Sequence, residues 1–253
     1  MRIRTLLKQQ LRRVGLEVNR FNASGSFTAR RQRMMDSAKI DLVLDVGASD
    51  GGFANELRAS GYDEEIISFE PLDAPFRSLK AKSKRDSKWN AYQYALGNQS
   101  DTVSINISRD DKCSSFLTPL ERQTRVYSGA KISSHTVVQM RCLSDLYGTL
   151  FETEKRIFLK VDTQGYEGQV LEGAGDILDD MVGIQLELSL IPLFDGGRSY
   201  SSLLRELERR QFWPVMIEPV FIDPHTEQTL QVDAVFFKHQ VLQSMSESIA
   251  KKD

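Results

Sequence analysis

A short stretch from Asp41 to Phe53 constrains the fold more than any other part of the sequence. Leu42 to Val46 is an apolar run interrupted only by Asp45, which is typical of a buried strand. Small and glycine residues follow, and a helix-forming pattern resumes at Asn55. A strand, a glycine-rich turn and a helix make the phosphate- or nucleoside-binding corner of a doubly wound α/β sheet. An ordinary tight turn between a strand and a helix fits the same pattern.

A second apolar run, from Ile66 to Phe69, ends in Glu70. In a βαβ unit an acid at this distance binds the ribose hydroxyls of a nucleotide, which supports a ligand-binding role for the glycine turn. A strand-end acid that faces solvent is the alternative. The spacing differs from the G-x-G-x-x-G of a dinucleotide site, because Gly47 is followed by three other residues before Gly51.

From Ile40 onward, strand and helix patterns alternate, which predicts an α/β fold. Further strands are predicted at about 89–96, 156–162 and 182–190. Residues 99–150 carry short β patterns and are interpreted as an insertion. The last two strands, near 215–221 and 231–237, are joined by too few residues for a crossover helix and must be antiparallel. We therefore predict a seven-stranded, mostly parallel sheet with an antiparallel last strand and a small β insertion.

Residues 1–40 differ from the rest of the chain in charge. Ten Lys and Arg side chains against two acids give a local charge of +8, which leaves −10 for the remainder. Apolar residues between Arg2 and Val14 recur near helical spacing, which predicts an amphipathic helix. That helix either packs on the domain or contacts an anionic membrane or lipid-linked substrate. We divide the chain into a basic arm (1–40), a main domain (41–240) and a C-terminal tail (241–253).

Composition excludes several classes of protein. The net charge of −2 argues against a dedicated nucleic-acid binder. No apolar run reaches the length of a membrane span. Cys113 and Cys142 are too few for a disulfide or zinc framework, which indicates a reducing compartment. We therefore expect a cytoplasmic protein, with peripheral contact at the inner membrane surface as the alternative for the basic arm.

Three stretches together resemble the FkbM family of S-adenosylmethionine-dependent methyltransferases: Leu44 to Ser49, Phe69 to Leu72, and Leu159 to Glu167. The Lys-x-Asp-x-x-Gly-x-Glu pattern of the third stretch is the most specific part. The resemblance extends over roughly residues 40–238 and implies a Rossmann-like class I methyltransferase fold. It also implies O-methylation of a sugar hydroxyl in polysaccharide, glycolipid or natural-product biosynthesis. The family commonly has Asn and Glu where this sequence has Ser49 and Gln164.

The resemblance implies roles for individual residues in binding S-adenosylmethionine. Asp45 is expected to hold the ammonium group, directly or through water, and Glu70 the two ribose hydroxyls. Gly47 lets the backbone approach the methionine part, because it lacks a Cβ. Leu72 and the backbone near Ala95 are expected to flank the adenine, although ordinary packing also explains the latter. The predicted cofactor-binding residues are Asp45, Gly47, Ser49, Glu70, Pro71, Leu72, Ala95, Leu96 and Asp162.

An alcohol acceptor must also lose a proton, and its base must lie at the carboxyl edge of the sheet. Three residues are candidates: Asp162, Glu187 and His225. Asp162 is favoured because it ends its strand nearest the glycine turn, whereas His225 also fits an exposed turn residue. Lys160 is expected to pair with Glu187, because an unpaired buried charge costs several kcal/mol. Asp162 and Glu187 could also hold a metal ion, but no ligand spacing supports such a site, so no metal is assigned.

Two other functions remain open at this stage. A nucleotide-linked dehydrogenase is disfavoured by the missing G-x-G-x-x-G and by the antiparallel end of the sheet. A non-catalytic scaffold that binds the cofactor or a partner is disfavoured by the presence of Asp45, Gly47, Glu70 and Asp162. The expected partner of the enzyme is a sugar or glycolipid acceptor, and no nucleic acid.

Overall fold

The computed structural model describes residues 24–151 and 154–250, together with Leu11 and Arg13. The helices are α1 (Phe27–Ser37), α2 (Gly52–Ala59), α3 (Asp73–Ser83), α4 (Glu121–Val126), α5 (Leu143–Leu146), α6 (Glu167–Ala174), α7 (Tyr200–Arg209) and α8 (His239–Ala250). The strands are β1 (Leu42–Val46), β2 (Glu65–Phe69), β3 (Trp89–Tyr92), β4 (Ala95–Leu96), β5 (Asp101–Ser108), β6 (Ile132–Arg141), β7 (Ile157–Val161), β8 (Met181–Ser189), β9 (Phe212–Ile222) and β10 (Thr229–Lys238).

Seven strands form the central sheet in the order β3-β2-β1-β7-β8-β10-β9. Strand β10 is antiparallel to both of its neighbours, and the remaining neighbouring pairs are parallel. The predicted seven-stranded sheet with an antiparallel last strand is therefore confirmed. Parallel strands end at one edge of a sheet, so the turn after β1 and the residues after β2 and β7 meet there.

A small second sheet, in the order β4-β6-β5, forms the β insertion. The prediction of one strand over 89–96 was wrong at its end. Strand β3 ends at Tyr92, and Ala95 and Leu96 pair instead with Met140 and Arg141 of β6. The chain leaves the central sheet there, because Tyr92 is in register with Phe69, the last residue of the neighbouring strand β2.

Helices cover both faces of the central sheet, which explains why every residue of β1 and β7 is buried. One core cluster contains Leu44, Leu159 and Ile184, and the other, on the α1 side, contains Val43, Phe158 and Val235 among others. Within these apolar strands Asp45 and Lys160 are the polar exceptions. Both lie near the carboxyl edge, where the functional residues gather.

The two chain ends contribute helices to the described part of the domain. Helix α1, capped by the Ser26 side chain, buries Met35 in the second core cluster, and α8 buries Val241 there. The amphipathic helix predicted between Arg2 and Val14 lies outside the described residues, apart from Leu11 and Arg13. Among the described helices, none combines the length and the apolar character needed to cross a bilayer. The division at residues 40 and 240 stays a prediction.

Candidate active site

A cavity of about 400 Å³ lies at the carboxyl edge of the sheet. Residues of α1, of the turn after β1, of the β2 and β7 ends and of the loop around Ser115 line it. Eight predicted site residues line this one cavity: Gly47, Ser49, Glu70, Pro71, Leu72, Ala95, Leu96 and Asp162. Three others, Asp45, Glu187 and His225, are not among the lining residues.

The glycine turn is tied to the chain that follows β7. Gly47 has a φ of +73°, and a Cβ at this position would lie 1.9 Å from the carbonyl oxygen of Asp162. The amide of Asp162 in turn donates to the carbonyl of Val46 at 3.1 Å. The structure therefore assigns a different reason for this glycine from the one predicted: its missing side chain makes room for the Asp162 backbone.

Glu70 is held by the backbone on both sides. Its Oε2 accepts from the amide of Ser49 at 2.9 Å and its Oε1 from the amide of Leu72 at 2.8 Å. Burial raises the pKa of Glu70 to about 7, although these two hydrogen bonds act to lower it. Each carboxylate oxygen retains a second lone pair, so the pair of oxygens fits the two ribose hydroxyls. Ser49 itself has a φ of +48°, in the left-handed region that Asn tolerates well. This conformation gives a physical reason why Asn is common at this position in the family that the sequence resembles.

Buried apolar side chains continue the cavity beyond Glu70. Leu72, Ala95 and Leu96 are each less than a tenth exposed, and Pro71 lies beside them in the lining. A flat heterocycle fits between such side chains, whereas charged groups do not. This end of the cavity thus has the chemistry for an adenine next to its ribose.

Asp45 lies beneath the cavity. Its side chain is fully buried, accepts from Ser68 Oγ at 3.0 Å and forms an ion pair with Lys160 Nζ at 3.4 Å. Burial raises the pKa of Asp45, and the Lys160 charge opposes that rise. Direct contact between Asp45 and a cofactor ammonium group, one of the two forms predicted, is wrong, because the side chain does not reach the cavity.

Lys160 pairs with the two acids that flank it, and its predicted pairing with Glu187 is wrong. Its Nζ lies 3.4 Å from Asp45 Oδ1 and 3.5 Å from Asp162 Oδ2. Burial disfavours the charged amine, but the carboxylates of Asp162 and Asp45 outweigh it and raise the pKa of Lys160. Lys160 therefore remains a cation that is shared between its two acidic neighbours.

Gln164 joins Asp162 to Glu187. Its Nε2 donates to Asp162 Oδ1 and to Glu187 Oε2, each at 3.0 Å, and Gln231 also donates to Glu187 at 2.7 Å. Burial raises the pKa of Glu187, and the charge of Asp162 adds to the rise. A neutral amide between two carboxylates avoids a third negative charge, which gives a physical reason for Gln at this position.

Glu167 fixes the turn that carries Gln164. Its Oε1 accepts from the amides of Thr163 and Gly165, at 3.0 and 3.1 Å. The side chain is buried, and burial raises the pKa of Glu167 to about 7. The final Glu of the Lys-x-Asp-x-x-Gly-x-Glu pattern therefore acts on the backbone of the turn.

His225 lies on the exposed turn between β9 and β10, outside the cavity lining. The turn does reach the predicted edge, because β9 runs parallel to β8. Within residues 24–151 and 154–250, His, Cys, Asp and Glu side chains form no cluster that could hold a metal ion.

A line of polar side chains crosses the sheet, here called the polar row: Ser68, Asp45, Lys160, Gln185 and Asp233. Only Asp45 and Lys160 among them were expected from the sequence. Asp45 is in register with Ser68 and with Lys160, and Lys160 with Gln185. Gln185 donates to Asp233 Oδ2 at 3.1 Å. Each member interrupts an apolar strand pattern, which was the available signal for Gln185 and Asp233.

The ligand-free protein is expected to lose stability as the pH rises from about 5 to about 8. Glu70 and Glu167 have folded-state pKa values of about 7, above the ordinary 4.5. Their contribution to the free energy of unfolding is complete at a pH below the unfolded-state pKa of 4.5. It is lost as the pH rises through the folded-state pKa of about 7. Urea unfolding across this range measures the slope. Glu167→Gln, which mimics the protonated acid, should flatten the slope, whereas exposed Glu121→Gln should leave it unchanged; equal slopes in all three proteins would contradict the assignment.

Several known proteins resemble this chain at low sequence identity. It is 23% identical over 194 residues to Methyltransferase 1 of Beauveria bassiana, covering 72% of this chain and 76% of that protein. The human methyltransferase 10 domain containing protein is 12% identical, with a TM-score of 0.41 over 93% of this chain and 96% of that one. A TehB-like SAM-dependent methyltransferase from Corynebacterium glutamicum is 12% identical, with a TM-score of 0.40 over 94% and 97%. These two structural likenesses are too weak to support a statement about function.

The family comparison is the decisive one. A model of the methyltransferase FkbM domain matches residues 45–213, which is most of the chain and spans the turn after β1, Glu70 and the Lys160–Glu167 pattern. These are the segments that build the cavity described above. The chain therefore belongs to the FkbM methyltransferase family, and its methyl donor is S-adenosylmethionine.

Proposed function

We propose that the protein is an O-methyltransferase that methylates a hydroxyl of a sugar in polysaccharide, glycolipid or natural-product assembly. The observation that carries this proposal is the Asp162 carboxylate, which lines the cavity beside the glycine turn and is 38% exposed. An alcohol is a poor nucleophile until it gives up its proton, and a positioned carboxylate is a suitable base. The family resemblance supports a sugar or another natural-product hydroxyl as the acceptor.

In the proposed reaction one residue accepts a proton, and others hold that residue in position. If S-adenosylmethionine is bound at Glu70 and Leu72, it would supply an electrophilic methyl group to the acceptor oxygen, with the carbon–sulfur bond broken and its electron pair left on sulfur. Asp162 takes the hydroxyl proton, while Gln164 and Lys160 hold its two oxygens in place. Such alignment contributes up to about 7–11 kcal/mol in favourable systems, more than a base alone.

Incubation with labelled methyl donor and a panel of acceptors tests the function. The panel contains lipid-linked sugars, nucleotide-linked sugars and simple methyl glycosides. Label in a base-stable ether on a sugar oxygen is the expected result. Calorimetry with S-adenosylmethionine runs beside it. Label transferred to amines but to no hydroxyl would overturn the proposal, and absence of cofactor binding would favour a scaffold that does not catalyse methyl transfer.

Glu70→Ala is expected to weaken S-adenosylmethionine binding by about 1.5–3 kcal/mol, the worth of hydrogen bonds to a charged group. The reason is the loss of both ribose-facing oxygens, which Ser49 and Leu72 hold in place. Calorimetry at pH 8 measures the difference. Asp73→Ala removes a nearby acid that does not line this cavity and serves as the control. Unchanged affinity in Glu70→Ala would remove Glu70 from the ribose role.

A further inference from the structure

Asp233 is one of the cavity acids that have no role in the proposed reaction. Asp233 of β10 lines the same cavity as Asp162, and it lies on the far side of Lys160 and Gln185 within the polar row. Glu218 of β9, its register partner, lines the cavity as well. This end of the cavity is the one opposite Leu72 and Leu96, which lie at its apolar end.

Two other side chains aim the Asp233 carboxylate. Gln185, which is 3% exposed, accepts from Arg31 Nη1 at 3.0 Å through its Oε1. Its amide nitrogen must therefore point the other way, and it donates to Asp233 Oδ2 at 3.1 Å. Among the described residues this is the only hydrogen-bond partner of the Asp233 carboxylate. The second oxygen, Oδ1, is therefore available to a group inside the cavity.

Arg31 is a fixed part of the cavity wall. It is 3% exposed, its Nη2 donates to Glu56, and its guanidinium lies 4.6 Å from the centre of the Phe53 ring. Through these contacts the guanidinium holds α1 and Gln185 in place. Arg31 is thus a positioning residue whose Nη1 and Nη2 both donate, while its buried Nε has no hydrogen-bond partner among the described residues.

The charges around the cavity favour one class of acceptor. Seven carboxylates and three basic side chains line it. Two of the three cations are already paired, Arg31 with Glu56 and Lys160 with Asp45 and Asp162. Among the acids, Asp50 is paired with Lys82 from outside the lining, which leaves Glu70, Asp111, Glu218 and Asp233 without an ion pair among the described residues. An anionic acceptor would meet this excess of negative charge, whereas sugar hydroxyls donate hydrogen bonds to carboxylates.

The groups that face Asp233 also set its own protonation. Burial raises the pKa of Asp233 to about 6, and the charge of Asp162 adds to the rise, while Lys160 and Arg31 oppose it and Glu218 adds to it. Above about pH 7 the carboxylate is ionised and accepts hydrogen bonds only.

We infer that Asp233, aimed by Gln185 and Arg31, binds a hydroxyl of the acceptor next to the one that is methylated, so that the part of the acceptor inside the cavity is an uncharged polyol. This inference rests on the proposed O-methyltransferase function and adds a specificity-determining residue to it. It also makes α1, which lies before the family domain, a wall of the acceptor site.

The test compares methyl transfer to neutral methyl glycosides with transfer to the matching hexose 6-phosphates. The wild-type enzyme should use the glycosides and reject the phosphates. Asp233→Asn should raise KM for the glycoside about 10- to 100-fold, the range for a lost hydrogen bond to a charged group, with a smaller change in kcat. Its affinity for S-adenosylmethionine, measured by calorimetry, should stay within about twofold of wild type. Gln185→Leu should raise KM in the same direction, because it frees the carboxylate to turn away.

Glu218→Gln is the matched control, because it removes one negative charge from the same wall without a Gln185 contact. Its effect on KM should be clearly smaller than that of Asp233→Asn; equal effects would mean that Asp233 acts through charge alone and would overturn the inference. Transfer to the hexose 6-phosphates but not to neutral glycosides would overturn it too and leave the O-methyltransferase function standing. Absence of transfer to any sugar would end both proposals.

Discussion

Asp162→Asn is expected to lower the rate of methyl transfer by about 10²-fold or more while S-adenosylmethionine affinity stays near the wild-type value. An amide has nearly the shape of the carboxylate but does not accept the hydroxyl proton. The backbone of residue 162, which contacts Val46 and Gly47, is unchanged by the substitution. The turn that shapes the cavity should therefore survive, and the loss should fall on kcat.

His225→Asn provides the control for this variant. His225 was a candidate base on sequence grounds, but it lies on an exposed turn outside the cavity, so its replacement should leave turnover unchanged. Single-turnover measurements with saturating cofactor separate the chemical step from product release. If Asp162→Asn kept near-wild-type turnover with normal cofactor binding, Asp162 would not be the base.

Gly47→Ala is expected to destabilise the protein by about 3 kcal/mol or more. The new Cβ would overlap the carbonyl oxygen of Asp162, 1.9 Å away, and that oxygen is backbone with little freedom to move. Urea unfolding measures the loss. S-adenosylmethionine should give little protection, because the Asp162 and Gly47 segments that shape its cavity are forced apart.

Gly196→Ala separates the stability lost to atomic overlap of the new Cβ from the stability lost to backbone strain. Gly196 has nearly the same φ, +77°, yet nothing lies within 4 Å of its Cβ position. Its substitution should cost only about 1–2 kcal/mol, the price of a left-handed conformation for a residue with a side chain. Equal losses in the two variants would show that the contact with Asp162 does not matter.

The central sheet could be predicted because its signals are local. Alternating strand and helix patterns gave the element order, and the short link between β9 and β10 required an antiparallel pair. The placement of Glu70 and Asp162 at one cavity followed from the rule that parallel strands end at a common edge.

The partner of Lys160 could not be predicted because it depends on register. Strand β7 has neighbours on both sides, and pattern alone does not say which residues face each other. The observed register sets Lys160 beside Asp45 and Gln185, with Glu187 two positions further along β8. The register between strands thus set Lys160 beside Asp45 rather than Glu187. Asp162, of the same chain segment as Lys160, completes the ion pairs.

Arg31 was missed for another reason. Residues 1–40 were treated as one arm because of their high positive charge. The helical spacing of the buried residues in α1 was therefore overlooked. An arginine one turn before Met35, on the same helix face, was the signal that Arg31 is directed inward.

The contact between the glycine turn and the end of β7 also bears on how the protein folds. Gly47 and Lys160 are 113 residues apart in the chain, with the whole β insertion between them. Contacts of such long sequence separation close late, because the entropy of the intervening loop must be lost first. The cavity exists only when this contact is formed. Cofactor binding is therefore expected to stabilise the native topology alone and to shift the equilibrium from late folding intermediates toward it. A nascent chain that has not yet completed β7 lacks the cavity, however well its first βαβ unit is formed.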